Sequence, residues 1–137
     1  MRLIVCVDER GGMTFNQRRQ SRDRLLCEDV LSTVRKNNGR LYLAPYSEML
    51  FAPSGGDVIC SCPDYLQRAG AQDFCFCERE ALLPYETEIR ELIVYRWNRH
   101  YPSDRKLELD LSRFRLQESS EFAGSSHEII TKEVYVR

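Results

Sequence analysis

The sequence predicts an α/β fold, a single domain over residues 1–137 whose central sheet is mixed, mostly parallel, and ends in an antiparallel hairpin. Apolar runs typical of strands alternate with helix-like stretches for most of the chain, which favours parallel strands joined by right-handed crossovers. Near the end of the chain, apolar and polar residues alternate one by one, as in paired antiparallel strands. Its 137 residues, 42% hydrophobic and 30% charged, suit one globular domain.

The first half of the chain predicts three strands and one long helix. The helix is expected to have Ser21 as its N-cap and Asp23 in its first turn, where a carboxylate suits the helix dipole. It should end at the sequence Asn37-Asn38-Gly39. A polar loop is predicted over residues 13–20, and one or two helical turns over 45–51. The predicted strands are residues 3–7, 41–44 and 57–60.

The second half predicts a short helix over residues 64–69, opened by Pro63 and closed by Gly70. A strand over residues 74–77 and a short helix that stops near Pro84 follow it. The next strand is residues 92–97. Alternating leucines at 107, 109 and 111, continued by Phe114 and Leu116, then pair with a last strand over residues 129–136, which completes the hairpin.

Composition excludes several classes of function. The net charge of −1 provides no general attraction to nucleic acid or to anionic membranes. No apolar run approaches the roughly 20 residues needed to span a bilayer. The chain starts as a strand and not as a signal peptide, so the cytoplasm is the expected location. Membrane partners are not expected.

The six cysteines, at positions 6, 27, 60, 62, 75 and 77, are expected to be buried thiols in a reducing compartment. Two pairs are separated by a single residue, whereas structural zinc sites space their cysteines by two to four residues. The two histidines, His100 and His127, stand alone in the sequence. We therefore predict no metal site, and we expect His127 to be a loop residue at the start of the last strand.

Five short motifs occur in one collinear order. They are Val7-Asp8 followed by Gly12-Met13, the strand at 74–77 followed by Leu83-Pro84, the strand at 91–95, His100-Tyr101-Pro102, and the closing run at 130–137. This order resembles the dihydrofolate reductase family. The resemblance implies that family's three-layer fold, and it implies a site for NADPH and a folate-type pterin between which hydride is transferred.

The sequence departs from the family where the cofactor would bind. The family's glycine pair after the cofactor strand is matched here by Cys77 and Glu78, whose side chains would occupy the space of the dinucleotide. In the family, a segment after the second strand binds the phosphates of the cofactor. The matching residues here are 44–47, and of the groups that bind the phosphates only the Ser47 hydroxyl remains. Hydrogen bonds to charged groups contribute about 1.5–3 kcal/mol each, so losing two or three weakens binding by about 3–9 kcal/mol. NADPH is expected only if other contacts replace them.

The candidate site residues follow from this resemblance and from a cluster of arginines. If the protein is an enzyme, its acid is either Asp23 or Glu28; otherwise the first complements the helix dipole and the second lies on a solvated face. Arginines before and within the first helical turn can attract an anion, or can pair with nearby carboxylates. The predicted cleft residues are Met13, Phe15, Arg18, Arg19, Arg22, Ser47, Cys77, Glu78, Arg79 and Tyr95.

Three functions are compatible with these residues. The first is a cytoplasmic, non-catalytic binding or regulatory protein with degraded NADPH and folate sites, acting on a small anionic ligand or a protein partner. The second is a divergent NADPH-dependent reductase of a pterin-like heterocycle. The third is an RNA- or nucleotide-binding protein that uses the loop 18–24, whose affinity would fall steeply with salt.

Overall fold

A mixed seven-stranded sheet runs through the computed structural model, which describes residues 1–137. The helices are α1 (Arg24–Lys36), α2 (Glu48–Gly55) and α3 (Tyr65–Arg68), with 3-10 turns at Pro45–Ser47, Leu83–Glu88 and Leu111–Arg113. The strands are β1 (Arg2–Val7), β2 (Gly12–Phe15), β3 (Arg18–Arg19), β4 (Leu41–Leu43), β5 (Ile59–Ser61), β6 (Phe74–Phe76), β7 (Glu91–Arg96), β8 (Arg105–Lys106), β9 (Arg115–Phe122) and β10 (Ile130–Val136).

The main sheet has the strand order β5-β4-β6-β1-β7-β10-β9. Its first five strands pair in parallel, and β10 pairs antiparallel with both β7 and β9. The predicted α/β class, the mostly parallel sheet and the closing antiparallel hairpin are confirmed. The remaining strands form a small separate sheet in the order β3-β2-β8, which lies at the carboxyl end of β1.

Apolar side chains cover both faces of the main sheet. Alternate residues of β1 point to opposite sides, so that Ile4 packs in one cluster with residues of α1 and α2, while Leu3 and Val5 pack in another with Tyr65 of α3. Each cluster contains about fifteen buried residues. The sheet therefore lies between two layers, as the predicted three-layer fold requires.

Helix α1 starts two residues later than the sequence predicts. Its N-cap is Asp23 and not Ser21: the Asp23 carboxylate accepts hydrogen bonds from the backbone N–H groups of Leu25 and Leu26. Both residue types are good N-caps, and the tertiary contacts of the carboxylate select between them. The helix ends at Asn37, as predicted.

Three other segments also differ from prediction. Residues 13–20 are not a simple loop, because β2 and β3 form a hairpin whose turn residues, Asn16 and Gln17, have positive φ angles of 51° and 66°. No helix stops at Pro84; a 3-10 turn starts there instead. The leucines at 107, 109 and 111 lie before β9 and not within it. No helix has the length and apolar character needed to cross a membrane.

Candidate functional site

An open cleft of about 930 Å³ lies between the first turns of α1, helix α2 and the turn that precedes β10. It adjoins a small cavity of about 20 Å³ at the carboxyl ends of the strands. That cavity holds about one water molecule. Its walls include Cys6, Cys27, Phe76 and Trp97. The site thus has a wide mouth and almost no free space at its inner end.

The inner end is filled by the side chain of Glu78, which follows strand β6. Its carboxylate accepts two hydrogen bonds from the Arg19 guanidinium, at 2.9 and 3.0 Å, and one from the Ser47 hydroxyl at 2.6 Å. The Glu78 side chain is only 10% exposed and that of Arg19 is 23% exposed. A bidentate pair of this kind is strong and geometrically fixed. Glu78 is thereby held across the end of the strand.

Tyr46 reinforces this ion pair from the side. The guanidinium carbons of Arg19 and Arg79 lie 4.3 and 3.9 Å from the centre of its ring. The Tyr46 hydroxyl accepts a hydrogen bond from the Arg19 backbone N–H, and the Tyr46 carbonyl accepts one from the Arg19 guanidinium. Cation–π contacts favour this stacked arrangement. The Glu78 lock, which we define as Arg19, Tyr46, Ser47, Glu78 and Arg79, is therefore satisfied without any ligand.

Asp23 is buried beside the cleft and is saturated with hydrogen bonds. Besides capping α1, its carboxylate accepts from the backbone N–H groups and the hydroxyls of Ser125 and Ser126. Burial alone would raise the pKa of Asp23, but the hydrogen bonds from Ser125, Ser126, His127 and Leu26 outweigh it, so that the pKa lies well below its usual value. The residue remains ionised at neutral pH.

His127 connects Asp23 to the aromatic floor of the site. Its Nδ1 lies 3.0 Å from Asp23 Oδ2, and its ring stacks on Trp97 with 4.6 Å between the ring centres. Its Nε2 lies 3.2 Å from the Ser21 hydroxyl and 2.8 Å from the Tyr101 hydroxyl. Because an ionised carboxylate only accepts, Nδ1 donates to Asp23, and in the neutral imidazole Nε2 is then the nitrogen that accepts from the hydroxyls.

Gly124 allows the turn before β10 to approach Asp23 this closely. A Cβ atom at this position would collide with the Asp23 carboxylate, and would lie 2.9 Å from the carbonyl oxygen of His127. The Gly124 N–H also donates to that same carbonyl oxygen. Through Ser125 and Ser126, this turn forms one wall of the site.

The thiols near the cavity are not reactive groups. Burial, followed by the negative charge of Glu78, raises the pKa of Cys6 well above its usual value and that of Cys27 to about 12. A thiol with so high a pKa is a poor nucleophile and a poor metal ligand. All six cysteines are free, and no group of three or more His, Cys, Asp or Glu side chains is arranged to hold a metal ion.

The structure brings only some of the predicted cleft residues together. Phe15 and Arg18 lie on the hairpin at a separate surface depression near Tyr101. Tyr95 is fully buried, and its hydroxyl donates to Asp29 and not to the cleft. Glu28 is half exposed at the rim and pairs with Arg24. Around the cavity lie Met13, Arg19, Arg22, Asp23, Cys77 and Glu78.

The main residues that sequence reasoning missed are His127 and Ser21. His127 is separated from Asp23 by 104 residues, and no motif surrounds it. Its neighbours Ser125 and Ser126 carried a weak signal, because adjacent hydroxyl residues commonly bind a carboxylate or a helix start. Ser21 was expected to cap α1, and its side chain is instead directed to His127.

Among solved structures, the chain is similar to a dihydrofolate reductase from Enterococcus faecalis, which was complexed with NADP(H) and RAB-propyl. The similarity covers 99% of this chain and 95% of that chain, with a TM-score of 0.62 and 11% sequence identity. No protein-family model and no curated protein matches the chain. The protein therefore has a dihydrofolate-reductase-like fold, as its motifs predicted. At this identity, the likeness establishes the fold.

Proposed function

We propose that this protein binds a small organic anion in the open cleft and does not use NADPH for hydride transfer. The observation that carries this proposal is the Glu78 lock. A carboxylate that is 10% exposed and bidentately paired stands at the strand end where the resemblance places the dinucleotide. A cofactor could bind there only by displacing the Glu78 side chain. That displacement would leave the Arg19 charge without its partner, which costs free energy.

The open cleft retains the features of a ligand site. The half-buried Leu50, the largely exposed Met49 and Pro53 form an apolar wall on α2. On the opposite side, Arg19 and Arg24 are paired with carboxylates, while the Arg22 guanidinium has no ion pair. An apolar body with one anionic group complements such a wall and such a cation. The free thiols agree with a cytoplasmic location.

The two alternative functions have less support. A reductase that used Asp23 as its proton donor would need a carboxyl that protonates near neutral pH, whereas the pKa of Asp23 is lowered. Glu28 lies on the rim and pairs with Arg24. For nucleic acid, the loop 18–24 presents no continuous basic patch, because Arg19 turns inward to Glu78.

We expect NADPH to leave the fluorescence of Trp97 essentially unchanged at concentrations that saturate a dihydrofolate reductase, up to about ten times the dissociation constant of that enzyme. Trp97 is the single tryptophan and forms part of the cavity wall, so a bound nicotinamide would alter its emission. The absent contacts weaken binding by about 3–9 kcal/mol, or at least a hundredfold. A dihydrofolate reductase serves as the positive control. Saturable binding at micromolar NADPH would refute the proposal.

The cleft should instead bind 8-anilinonaphthalene-1-sulfonate, which combines an apolar body with one sulfonate. We expect Arg22→Ala to weaken this binding about tenfold or more, because a charge-assisted hydrogen bond contributes roughly 1.5–3 kcal/mol. The matched control is Arg115→Ala, since Arg115 is an exposed, unpaired arginine on β9. Circular dichroism would verify that each variant is folded. If Arg22→Ala and Arg115→Ala bound the probe with equal affinity, the sulfonate group would not contact Arg22.

A further inference from the structure

Ser21, His127 and Asp23 form a hydrogen-bonded series in the wall of the cleft. Ser21 Oγ lies 3.2 Å from His127 Nε2, and His127 Nδ1 lies 3.0 Å from Asp23 Oδ2. We infer that Ser21 is a nucleophile activated by His127 and oriented by Asp23, and that the cleft hydrolyses carboxylic esters that carry an anionic group. A hydroxyl, a base and a buried carboxylate in this order define the serine-hydrolase arrangement independently of the fold.

Each member is placed as its role requires. Ser21 lies where the open cleft meets the inner cavity and lines both, so that a substrate in the open cleft can reach it. The His127 side chain is 1% exposed and that of Asp23 is 0% exposed, which shields the base and the orienting group from bulk solvent, so that the reacting water enters only from the side of Ser21. Stacking on Trp97 holds the imidazole plane. The Asp23 carboxylate accepts from Nδ1, which directs Nε2 toward the Ser21 hydroxyl.

Arg22 supplies the group that would stabilise negative charge on the carbonyl oxygen. It directly follows Ser21, and its backbone N–H donates to no group of the protein. The N–H of the residue after the nucleophile is a common oxyanion donor in serine hydrolases. The unpaired Arg22 guanidinium lines the same space and adds a positive charge. The same charge favours substrates that carry an anionic group.

The reaction proceeds in two balanced steps. Ser21 Oγ attacks the ester carbonyl carbon, and the hydroxyl proton passes to His127 Nε2. The carbon–oxygen bond to the alkoxide breaks, and the alkoxide leaves as an alcohol with the proton from Nε2. Water then attacks the acyl-Ser21, gives its proton to Nε2 and releases a carboxylic acid, while Ser21 regains a proton. The sum is ester plus water giving acid plus alcohol.

Tyr101 competes with Ser21 for a hydrogen bond to His127 Nε2. Its hydroxyl lies 2.8 Å from Nε2, closer than that of Ser21, and both hydroxyls compete for one lone pair. Tyr101→Phe removes the competitor and leaves the ring in place. Acylation of Ser21 should therefore be faster in this variant than in the wild type.

The test uses a fluorophosphonate, whose phosphorus–fluorine bond breaks as the oxygen of the activated serine bonds to phosphorus. Labelling is followed by intact mass and located by peptide mapping of the folded protein. We expect one label, on Ser21, and a loss of at least about 100-fold in rate for Ser21→Ala and for His127→Asn. The asparagine amide can still donate to Asp23 in place of Nδ1, which favours retention of the fold. Ser120→Ala, an exposed serine on β9, is the matched control.

Several results would overturn the inference. They are no labelling of the folded wild type by millimolar reagent, labelling at another residue, an unchanged rate in His127→Asn, or loss of labelling in Tyr101→Phe. The inference rests on the proposed ligand cleft but not on the absence of NADPH binding. Because labelling is read without cofactor or sulfonate probe, its failure is distinguishable from failure of the binding experiments. Turnover of 4-nitrophenyl acetate should follow the same order of variants.

Discussion

Replacement of Asp23 by asparagine is expected to lower the free energy of unfolding by about 3–5 kcal/mol, the usual cost of removing one partner from a buried charged network. The carboxylate accepts hydrogen bonds from α1, from Ser125 and Ser126, and from His127. An amide has a single accepting oxygen, and its NH₂ group would face donors. The substitution thus leaves buried N–H groups without partners.

Urea unfolding at pH 7, followed by circular dichroism, measures this effect. Glu28→Gln is the matched control, because Glu28 is half exposed and pairs only with Arg24, one turn earlier in α1. Exposed pairs of this kind contribute about 0.3–0.5 kcal/mol. If Asp23→Asn cost no more than this control, the turn before β10 would not depend on the carboxylate.

The Asp23 carboxylate also makes the free energy of unfolding depend on pH. Its pKa is lowered in the folded state, so its contribution is complete above the unfolded pKa of about 3.9 and is lost as the pH falls toward the folded pKa. Asp8 acts in the same direction: burial opposes ionisation, but N–H groups of Gly12, Tyr101 and Arg10 lower its pKa. Between about pH 4 and pH 2, the wild type should lose stability more steeply than Asp23→Asn.

Breaking the Glu78 lock is expected to cost about 2–4 kcal/mol in Arg19→Ala, somewhat less than for a fully buried pair because Arg19 keeps partial contact with water. The carboxylate of Glu78 would then retain only the Ser47 hydroxyl as a side-chain donor. By contrast, the double substitution Arg19→Met with Glu78→Leu should lie near the wild type, because apolar residues of similar volume replace a buried pair with little loss.

A double-mutant cycle on Arg19 and Glu78 measures the interaction itself. Residues in one network give strongly non-additive changes, and we expect a coupling energy of about 1–3 kcal/mol. The corresponding cycle on the exposed pair of Arg24 and Glu28 should give only about 0.3–0.5 kcal/mol. If the changes in the free energy of unfolding for Arg19 and Glu78 were additive, the contact between these two side chains would not stabilise the fold.

Local patterns were sufficient to predict most of the fold. The apolar runs that became β1, β4, β6 and β7 are short and continuous, because parallel strands in the middle of a sheet are buried on both faces. The failures lie where pairing is distant in sequence. The sequence predicts a loop where β2 lies, because the partners of β2 include β8, about 90 residues later, and a four-residue segment has little pattern of its own.

Local sequence patterns predict the class of fold, the collinear motifs of a dihydrofolate-reductase-like chain, and Glu78 at a position where that family has glycine. The contacts of Glu78 and Asp23 depend instead on the three-dimensional arrangement of the chain. Arg19 and Glu78 are 59 residues apart, and Asp23 and His127 are 104 residues apart. Periodicity reports which side of an element is buried, but not which distant side chain completes a hydrogen bond there. Such pairings arise only once the sheet order brings the strand ends together.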